Sequence, residues 1–185
     1  MSTAQDRGDA AFDEFVLARS TALHRAAYLM VGEQSLAQDL VQEALVKTYA
    51  AWPRLRDRSR AEAYCRKAIT TTAISWFRRR SWTHERASLL PDELHGRGGT
   101  EPGHADSVTQ SQWLWTALQE LPVRQRVSIV LRYYEDLTEA QTAEAMGCAV
   151  GTVKSQVSAG IKRLRDELGD DDPDLLPLPT LQNVR

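Results

Sequence analysis

Residues 138–168 carry the sequence TEAQTAEAMGCAVGTVKSQVSAGIKRLRDEL, which has the pattern of a helix-turn-helix. Thr138 and Gln141 have the spacing of a capping box, which begins a helix, and Gly147 supplies the turn after it. Apolar residues at near-helical spacing then predict a second helix whose buried side consists of Val153, Val157, Ile161, Leu164 and Leu168. This stretch therefore predicts two helices joined by a tight turn.

The second predicted helix has another face that suits the major groove of DNA. Hydrogen-bonding side chains lie along it, no acidic residue interrupts it, and two lysines flank it as candidate phosphate partners. The face consists of Thr152, Ser155, Gln156, Ala159 and Arg163, flanked by Lys154 and Lys162. An ordinary amphipathic helical hairpin is the alternative, but contact with DNA is the better interpretation.

Composition limits the remaining possibilities. The chain has 185 residues and 42% hydrophobic content, enough for one large or two small domains. Its N-terminal stretch MSTAQDRGDAAFDEF is polar and acidic, unlike a signal peptide, and no apolar run approaches the ~18 residues of a membrane span. Two isolated cysteines and four histidines show no metal-ligand spacing. We therefore expect a cytoplasmic protein without membrane insertion, cofactor or metal.

Basic charge is concentrated in one segment. The chain as a whole has 23 basic and 25 acidic residues, an unusual balance for a protein that binds DNA unaided. Residues 54–86 contain ten of the basic residues and only three acidic ones, together with Tyr64, Trp76, Phe77 and Trp82. Cations interleaved with aromatic rings suit single-stranded nucleic acid. A solvated basic helix with its aromatic rings in the core is the alternative.

Helical periodicity runs through the chain without a strand pattern, which predicts an all-α fold of two small helical domains. In the first domain, helices are predicted over residues 11–31, from Ser35 as the N-cap to Tyr49, and from Ala61 to Arg80. In the second, helices are predicted over Ser111–Leu121 and from Pro122, as the first helical residue, to Tyr134.

The second predicted helix of the first domain has an acidic stripe. Asp39, Gln42, Glu43 and Val46 recur at i, i+3, i+4 and i+7, on the side away from its apolar residues. A surface that binds DNA phosphates would not carry these carboxylates.

The predicted domain boundaries follow the change in composition. Residues 83–110 are rich in Gly, Pro, His and acidic residues and lack periodicity, as in a flexible linker. The predicted organisation is a disordered N-terminus over 1–10, a first domain over 11–82, the linker over 83–110, the helix-turn-helix domain over 111–168, and an acidic disordered tail over 169–185.

Both domains resemble one known family, the extracytoplasmic-function group of bacterial RNA polymerase sigma factors. LPVRQRVSIVLRYYEDLTEAQTAEAMGCAVGTVKSQV resembles sigma region 4, DLVQEALVKTYAAW resembles region 2.2, and AYCRKAITTTAISWFRRR resembles regions 2.3 and 2.4. The combination of GTVKSQVS with SWFRRR is most similar to the SigE-type subgroup of actinobacteria.

The resemblance implies a sigma factor that binds core RNA polymerase through its β′ clamp helices and β subunit and directs initiation at promoters. It would contact the −10 element as melted single strand and the −35 element, through the helix-turn-helix face, as duplex. Region 2.2 positions imply polymerase docking by Asp39, Gln42 and Glu43. The family's −10 contacts fall on Tyr64, Arg66, Lys67, Thr71, Trp76, Arg78, Arg79 and Arg80. Promoter DNA and an anti-sigma factor are the other implied partners.

Three departures from the family pattern concern DNA sequence preference. Thr71 replaces the asparagine common at the pocket for a flipped base, and a hydroxyl offers fewer directed hydrogen bonds than an amide. Gln156 and Ala159 stand where relatives often have arginine. The −35 preference of relatives is therefore not transferable to this chain.

Two other classes of function are alternatives. A free-standing helix-turn-helix regulator bound to an operator would leave the acidic stripe and the basic aromatic segment unexplained, and no dimerisation heptad is present. An enzyme would need a nucleophile–base pair, a carboxylate pair or a phosphate-binding loop, and the sequence contains none of these patterns. We therefore expect no catalytic residues.

Overall fold

The computed structural model describes residues 4–55, 57, 60–87 and 107–168, and every regular element in these ranges is helical. The α-helices in chain order are α1 (Ala4–Val31), α2 (Gln34–Ala51), α3 (Ala61–Ala87), α4 (Ser107–Glu120), α5 (Val123–Ile129), α6 (Glu139–Met146) and α7 (Val150–Leu168). A 3-10 turn over Trp52–Arg54 follows α2, and a π-helical turn over Val130–Tyr134 follows α5. The prediction of an all-α fold is confirmed.

Helices α1, α2 and α3 pack together as the N-terminal half of the molecule. Their contact is apolar, since Met30 of α1, Leu40 of α2 and Ile69 of α3 are all almost completely buried. Aromatic rings close the outer end of this contact, where the ring of Phe12 lies 5.1 Å from that of Trp52, centroid to centroid. Apolar side chains of all three helices therefore form the core between them.

Helices α4 to α7 form the C-terminal half, and α5 and α7 pack closely within it. Val153 and Leu164 of α7 are fully buried, as the sequence predicted. Val157 and Ile161 are only half-buried and line an open cleft beside Tyr133. The predicted apolar stripe of α7 is thus buried in part, while the side chain of Leu168 lies outside the described residues.

The predicted turn chemistry of the helix-turn-helix is confirmed in detail. The backbone N–H of Gln141 donates to Thr138 Oγ1 at 3.2 Å, and the N–H of Thr138 donates to Gln141 Oε1 at 2.8 Å. Gly147 has φ 62° and ψ 42°, the left-handed conformation that favours glycine after a helix. The local sequence therefore determines both ends of α6.

Two predicted helix starts are wrong. The N-cap of α2 is Glu33, and Ser35 lies inside the first turn and donates its hydroxyl to the Glu33 carboxylate. The start moves because Gly32, at φ +81°, already turns the chain out of α1. Similarly, Pro122 is the N-cap of α5 and not its first helical residue.

Three helices extend beyond their predicted ends. Helix α1 begins at Ala4, inside the range expected to be disordered, α3 continues to Ala87, and α4 begins at Ser107. Apolar periodicity misses such ends because their sequences carry no regular apolar stripe. Residues 88–106 and 169–185, which hold most of the predicted linker and all of the predicted tail, lie outside the described residues.

The glycines of the helix-turn-helix allow a matched test of backbone conformation. A Cβ at Gly147 or at Gly151 would meet no atom within 4 Å, so packing is the same for both. Gly147→Ala should destabilise the fold by about 1 kcal/mol, because a left-handed conformation is unfavourable for alanine. Gly151→Ala should stabilise it by about 0.5 kcal/mol, because residue 151 is helical. Urea denaturation followed by circular dichroism measures both, and the same sign for the two variants would contradict the assignment.

Candidate nucleic-acid interface

The acidic stripe predicted on α2 lies on its exposed side. Asp39 and Gln42 are exposed, and Val46 keeps 68% of its surface accessible. Glu43 differs from them, because its carboxylate accepts a hydrogen bond at 2.7 Å from Lys47. The structure therefore brings the three predicted polymerase-docking residues onto one face and gives one of them an intramolecular partner.

Lys47 joins α2 to α3. Its ammonium group donates to Glu43 on its own helix and, at 2.9 Å, to the hydroxyl of Thr72 on α3. Thr72 is buried, so this bond satisfies a hydroxyl that water reaches poorly. The orientation of the acidic face relative to α3 thus depends partly on one lysine.

Helix α3 presents a continuous exposed stripe along the basic aromatic segment. Tyr64, Lys67, Thr71 and Arg78 are exposed and recur at helical spacing, and Tyr64 keeps 40% of its surface accessible. The Thr71 hydroxyl donates to the Lys67 carbonyl oxygen at 2.8 Å, which leaves its oxygen lone pairs to accept a bond from elsewhere. Arg79 extends the stripe and donates to Ser75 Oγ at 3.2 Å. Cations, a hydroxyl and an aromatic ring therefore share one surface.

Other predicted −10 residues of α3 lie away from that surface. Arg66 keeps only 15% of its side chain accessible and donates through Nε to Glu135 at 2.7 Å and through Nη2 to Glu62 at 2.9 Å. Trp76 is half-buried and packs against the core. The side chain of Arg80 lies outside the described residues. The structure thus divides the predicted −10 residues between an exposed face and a covered one.

Helix α7 presents the face that the sequence predicted for DNA. Ser155, Lys154, Lys162 and Arg163 are exposed, and Thr152, Gln156 and Ala159 are half-buried between them. The Ser155 hydroxyl donates to the Thr152 carbonyl oxygen at 2.9 Å, and the Lys154 ammonium lies 3.4 Å from the Glu139 carboxylate. All seven predicted −35 residues therefore lie on one helix, and none of them is fully buried.

Arg126 joins the two halves of the molecule and had no role predicted from the sequence. It keeps 5% of its surface accessible, lies over the ring of Phe77 at 5.1 Å, and donates to the side-chain oxygen of Gln119. Burial lowers the pKa of its guanidinium to about 10, against a smaller opposing effect of Glu120. The available signal was an arginine directly before the mainly apolar stretch VSIVL at residues 127–131.

Further contacts between the halves lie on both sides of Arg126. The ring of Tyr28 stacks on that of Trp115 with centroids 4.4 Å apart, and Gln119 Nε2 donates to the Leu29 carbonyl oxygen at 3.3 Å. Burial raises the pKa of the Tyr134 hydroxyl, and the nearby Arg25 guanidinium opposes that rise. No local sequence pattern indicates which residues of the other half these side chains contact.

The described residues show neither a metal site nor a membrane-spanning helix. They contain no cluster of three or more His, Cys, Asp and Glu side chains that could hold a metal ion. None of the helices in the described ranges is long and apolar enough to cross a membrane. Cys65 is buried, and burial raises the pKa of its thiol.

Comparisons with known proteins match both halves of the chain. Residues 15–83 match the family model for sigma-70 region 2, and residues 111–164 match that for sigma-70 region 4. The chain is 37% identical over 174 residues to the RNA polymerase sigma-E factors of Streptomyces avermitilis and Streptomyces coelicolor. Each alignment covers 94% of this chain, and 94% and 95% of the respective relatives.

The fold of this chain is similar to that of a solved structure. The sigma factor RpoE of Bartonella quintana, in complex with the anti-sigma factor NepR, superimposes with a TM-score of 0.65 at 26% sequence identity. The alignment covers 88% of this chain and 99% of that chain. The likeness therefore extends over both helical halves.

The link between α2 and α3 can be tested by removing the Lys47 ammonium group. Lys47→Met keeps the aliphatic stem but leaves the buried Thr72 hydroxyl without this donor, and we expect a loss of about 1 kcal/mol in the free energy of unfolding. Lys67→Met on the exposed stripe is the matched control and should change stability by less than about 0.5 kcal/mol. Urea denaturation measures both variants. Equal stabilities would show that Lys47 does not hold the two helices together.

Proposed function

This chain belongs to the sigma-70 family, as an RNA polymerase sigma factor of the extracytoplasmic-function group, and we propose that its three exposed faces are its working surfaces. It binds core RNA polymerase and directs initiation at specific promoters. In this proposal α2 docks on the polymerase, the exposed stripe of α3 holds the melted −10 element, and α7 contacts the −35 element as duplex. The observation that carries the proposal is the separation of acidic and basic faces on different helices.

The face of α2 suits a protein partner. Asp39 is exposed beside Gln42 and the apolar Val46, and a carboxylate there would repel DNA phosphates. A mixed acidic and apolar patch is well suited to a basic protein surface, where opposite charges guide association. We assign this face to the β′ clamp helices, which sigma factors of this family use for docking.

The exposed stripe of α3 suits single-stranded DNA. Tyr64 offers a ring on which an unpaired base can stack, while Lys67 and Arg78 lie at intervals along the helix to contact the phosphate backbone. Thr71 lies between them with free acceptor capacity, which supports its assignment to the pocket for a flipped base. Extruding a base costs a few kcal/mol, which these contacts and those of the polymerase must offset.

The face of α7 suits the major groove of duplex DNA. The amide of Gln156 can bond two atoms of an adenine edge at once, whereas Ser155 can accept or donate a single bond. Lys162 lies at the margin of this face, where phosphates would flank the groove, and Arg163 lies within it. Lys154 lies on the far side of α7, beside the cleft that Val157 and Ile161 line, and is paired with Glu139. We therefore assign sequence preference mainly to Gln156 and overall affinity mainly to Lys162 and Arg163.

Attachment to the polymerase explains how weak DNA contacts suffice. The chain has a net charge of −2, so its unaided attraction to DNA is small. Two modules tethered to one polymerase act at a high effective concentration, and the predicted linker between α3 and α4 need only span the distance between them. We propose that the chain acts in the cytoplasm without a cofactor and leaves the chemistry of RNA synthesis to the polymerase.

An anti-sigma factor is a further proposed partner. The similar RpoE structure is a complex with such a factor, and its alignment covers both halves of this chain. An operator-binding regulator, the alternative considered from sequence, gives no use for the acidic face of α2 and is not favoured.

Polymerase docking is tested by reversing one exposed charge. Asp39→Lys should weaken binding to purified core polymerase by about tenfold or more, because a cation would then face the partner's cations. Asp39 is preferable to Glu43 for this purpose, since replacing Glu43 also removes a partner of Lys47. Asp13→Lys, an equal charge change at an exposed position of α1, is the control and should bind as the parent does. Equal loss of affinity in both variants would contradict the assignment.

Substitution by alanine should distinguish the proposed base contact of Gln156 from the proposed phosphate contact of Lys162 on α7. With polymerase present, Gln156→Ala should change the preferred base at one −35 position, by about 1–3 kcal/mol of discrimination. Lys162→Ala should weaken binding to all sequences alike. It should also reduce the slope of log affinity against log salt concentration by about one. Selection from a randomised −35 library and salt titrations measure the two effects. A changed base preference in Lys162→Ala, with none in Gln156→Ala, would refute the groove orientation.

A further inference from the structure

An open cleft lies beside α7, nearly opposite the face assigned to DNA. Its volume is about 710 Å³, and Tyr133, Val157 and Ile161 contribute half-buried apolar side chains to its lining. Residues two apart in a helix differ by about 200° around its axis, so Arg165 of the cleft points away from Arg163 of the DNA face. Pockets for small molecules enclose most of their ligand, whereas an open cleft leaves one side of its occupant in water. The cleft therefore suits a peptide segment.

Cations surround the apolar part of this cleft. The charged residues that line it are Arg132, Lys154, Lys162 and Arg165, together with Glu139 and Asp166. Lys154 is paired with Glu139 at 3.4 Å, but neither Arg132 nor Arg165 has a carboxylate partner among the described residues. The cleft therefore favours an occupant that is acidic in one part and apolar in another.

The sequence that follows α7 has this composition. Residues 169–178 read GDDDPDLLPL, so four aspartates come first and three leucines end the segment. Helix α7 ends at Leu168, and Arg165 lies less than one turn before that end. A segment that folds back along α7 from there passes Arg165 before it reaches Ile161 and Val157. The order of acidic and apolar residues in the segment thus matches the order of charged and apolar side chains along the cleft.

We propose that residues 170–178 dock in this cleft of their own chain, with the aspartates beside Arg165 and the leucines over Ile161 and Val157. The contact would bury apolar side chains that are otherwise half exposed, which is favourable in water. The inference does not rest on the proposed function, because the cleft and the DNA face lie on nearly opposite sides of α7.

The segment is long enough to reach the apolar side chains. An extended chain spans about 3.3 Å per residue, so residues 169–175 can cover roughly 23 Å. At 1.5 Å per helical residue, Ile161 and Val157 lie only about 10 and 17 Å before Leu168 along α7. Proline disfavours a helix and favours extended backbone, and the segment contains Pro173 and Pro177. The leucines can therefore lie along the cleft as an extended strip.

A covalent tether favours this occupant over a second copy of the chain. Short flexible linkers hold a segment near its site at an effective concentration of about millimolar, far above the concentration of free protein in most experiments. Contacts too weak to join two molecules are consequently strong enough within one.

The test measures binding of a fluorescein-labelled peptide of residues 169–179 to the full-length protein by anisotropy. In one variant Leu175→Ser, Leu176→Ser and Leu178→Ser are combined, so its own segment no longer fills the cleft. We expect this triple variant to bind the peptide at least about tenfold more tightly than the parent, in which the tethered segment competes with the peptide. Leu181→Ser, outside the docking segment, is the control and should bind the peptide as weakly as the parent.

A charge reversal identifies the site. In the triple variant, Arg165→Glu should weaken peptide binding by about tenfold, because its carboxylate would face the aspartates. Arg124→Glu makes the same change at an exposed position of α5 outside the cleft and should leave the affinity unchanged. Both are measured at about 0.15 M salt, where charges more than about 8 Å apart are largely screened. Equal losses in the two variants would overturn the assignment of the cleft.

Two further outcomes would overturn the proposal. The first is equal affinity of the parent and the triple variant for the peptide, including no binding by either, since the segment would then not compete for the cleft. The second is a dimer of the parent that forms with increasing concentration in sedimentation equilibrium and is lost in the triple variant, since the segment would then bind a second copy. We expect the parent to be monomeric throughout.

Discussion

The arrangement of the molecule depends on helix α3, which has one side in the core, one side against the C-terminal half and one exposed side. Its apolar side, with Ile69 and Ala73, packs into the core. A second side carries Arg66 and Phe77 and is covered by the C-terminal half. Only the third side, with Tyr64 among its residues, stays exposed. Successive residues are about 100° apart around the axis of a helix. The position of a residue therefore decides whether its side chain lies in the core, is covered by the C-terminal half or stays exposed.

Segregation of charge is the second organising feature. The acidic residues of α2, the cations along α3 and the acid-free face of α7 lie on separate helices, although the chain as a whole has a net charge of −2. One protein can therefore offer a surface to another protein and different surfaces to DNA without internal cancellation of charge. The ion pair between Glu43 and Lys47 orients two long side chains at the edge of the acidic face of α2.

The sequence predicted the architecture well where the signal is local. The all-α fold and the capping box of α6 are confirmed, as is the left-handed turn at Gly147, because each depends on neighbouring residues alone. The predicted start of α2 was wrong because a glycine at φ +81° moved the turn. The predicted ends of α1 and α3 were short because the sequence there has no regular apolar stripe. The roles of individual site residues stay predictions, to be decided by the binding and transcription measurements.

By itself the sequence determined which helices form and what chemistry each face carries, since periodicity and side-chain type are properties of a few consecutive residues. Only the tertiary structure decided which of those faces are covered. Arg66 and Glu135 are 69 residues apart in the chain, and no local pattern predicts that they meet. Their contact depends on the relative placement of two packed halves, which is set by shape and by the burial of Arg126 between them. Only the tertiary structure therefore shows that the Arg66 guanidinium already has a carboxylate partner within the protein.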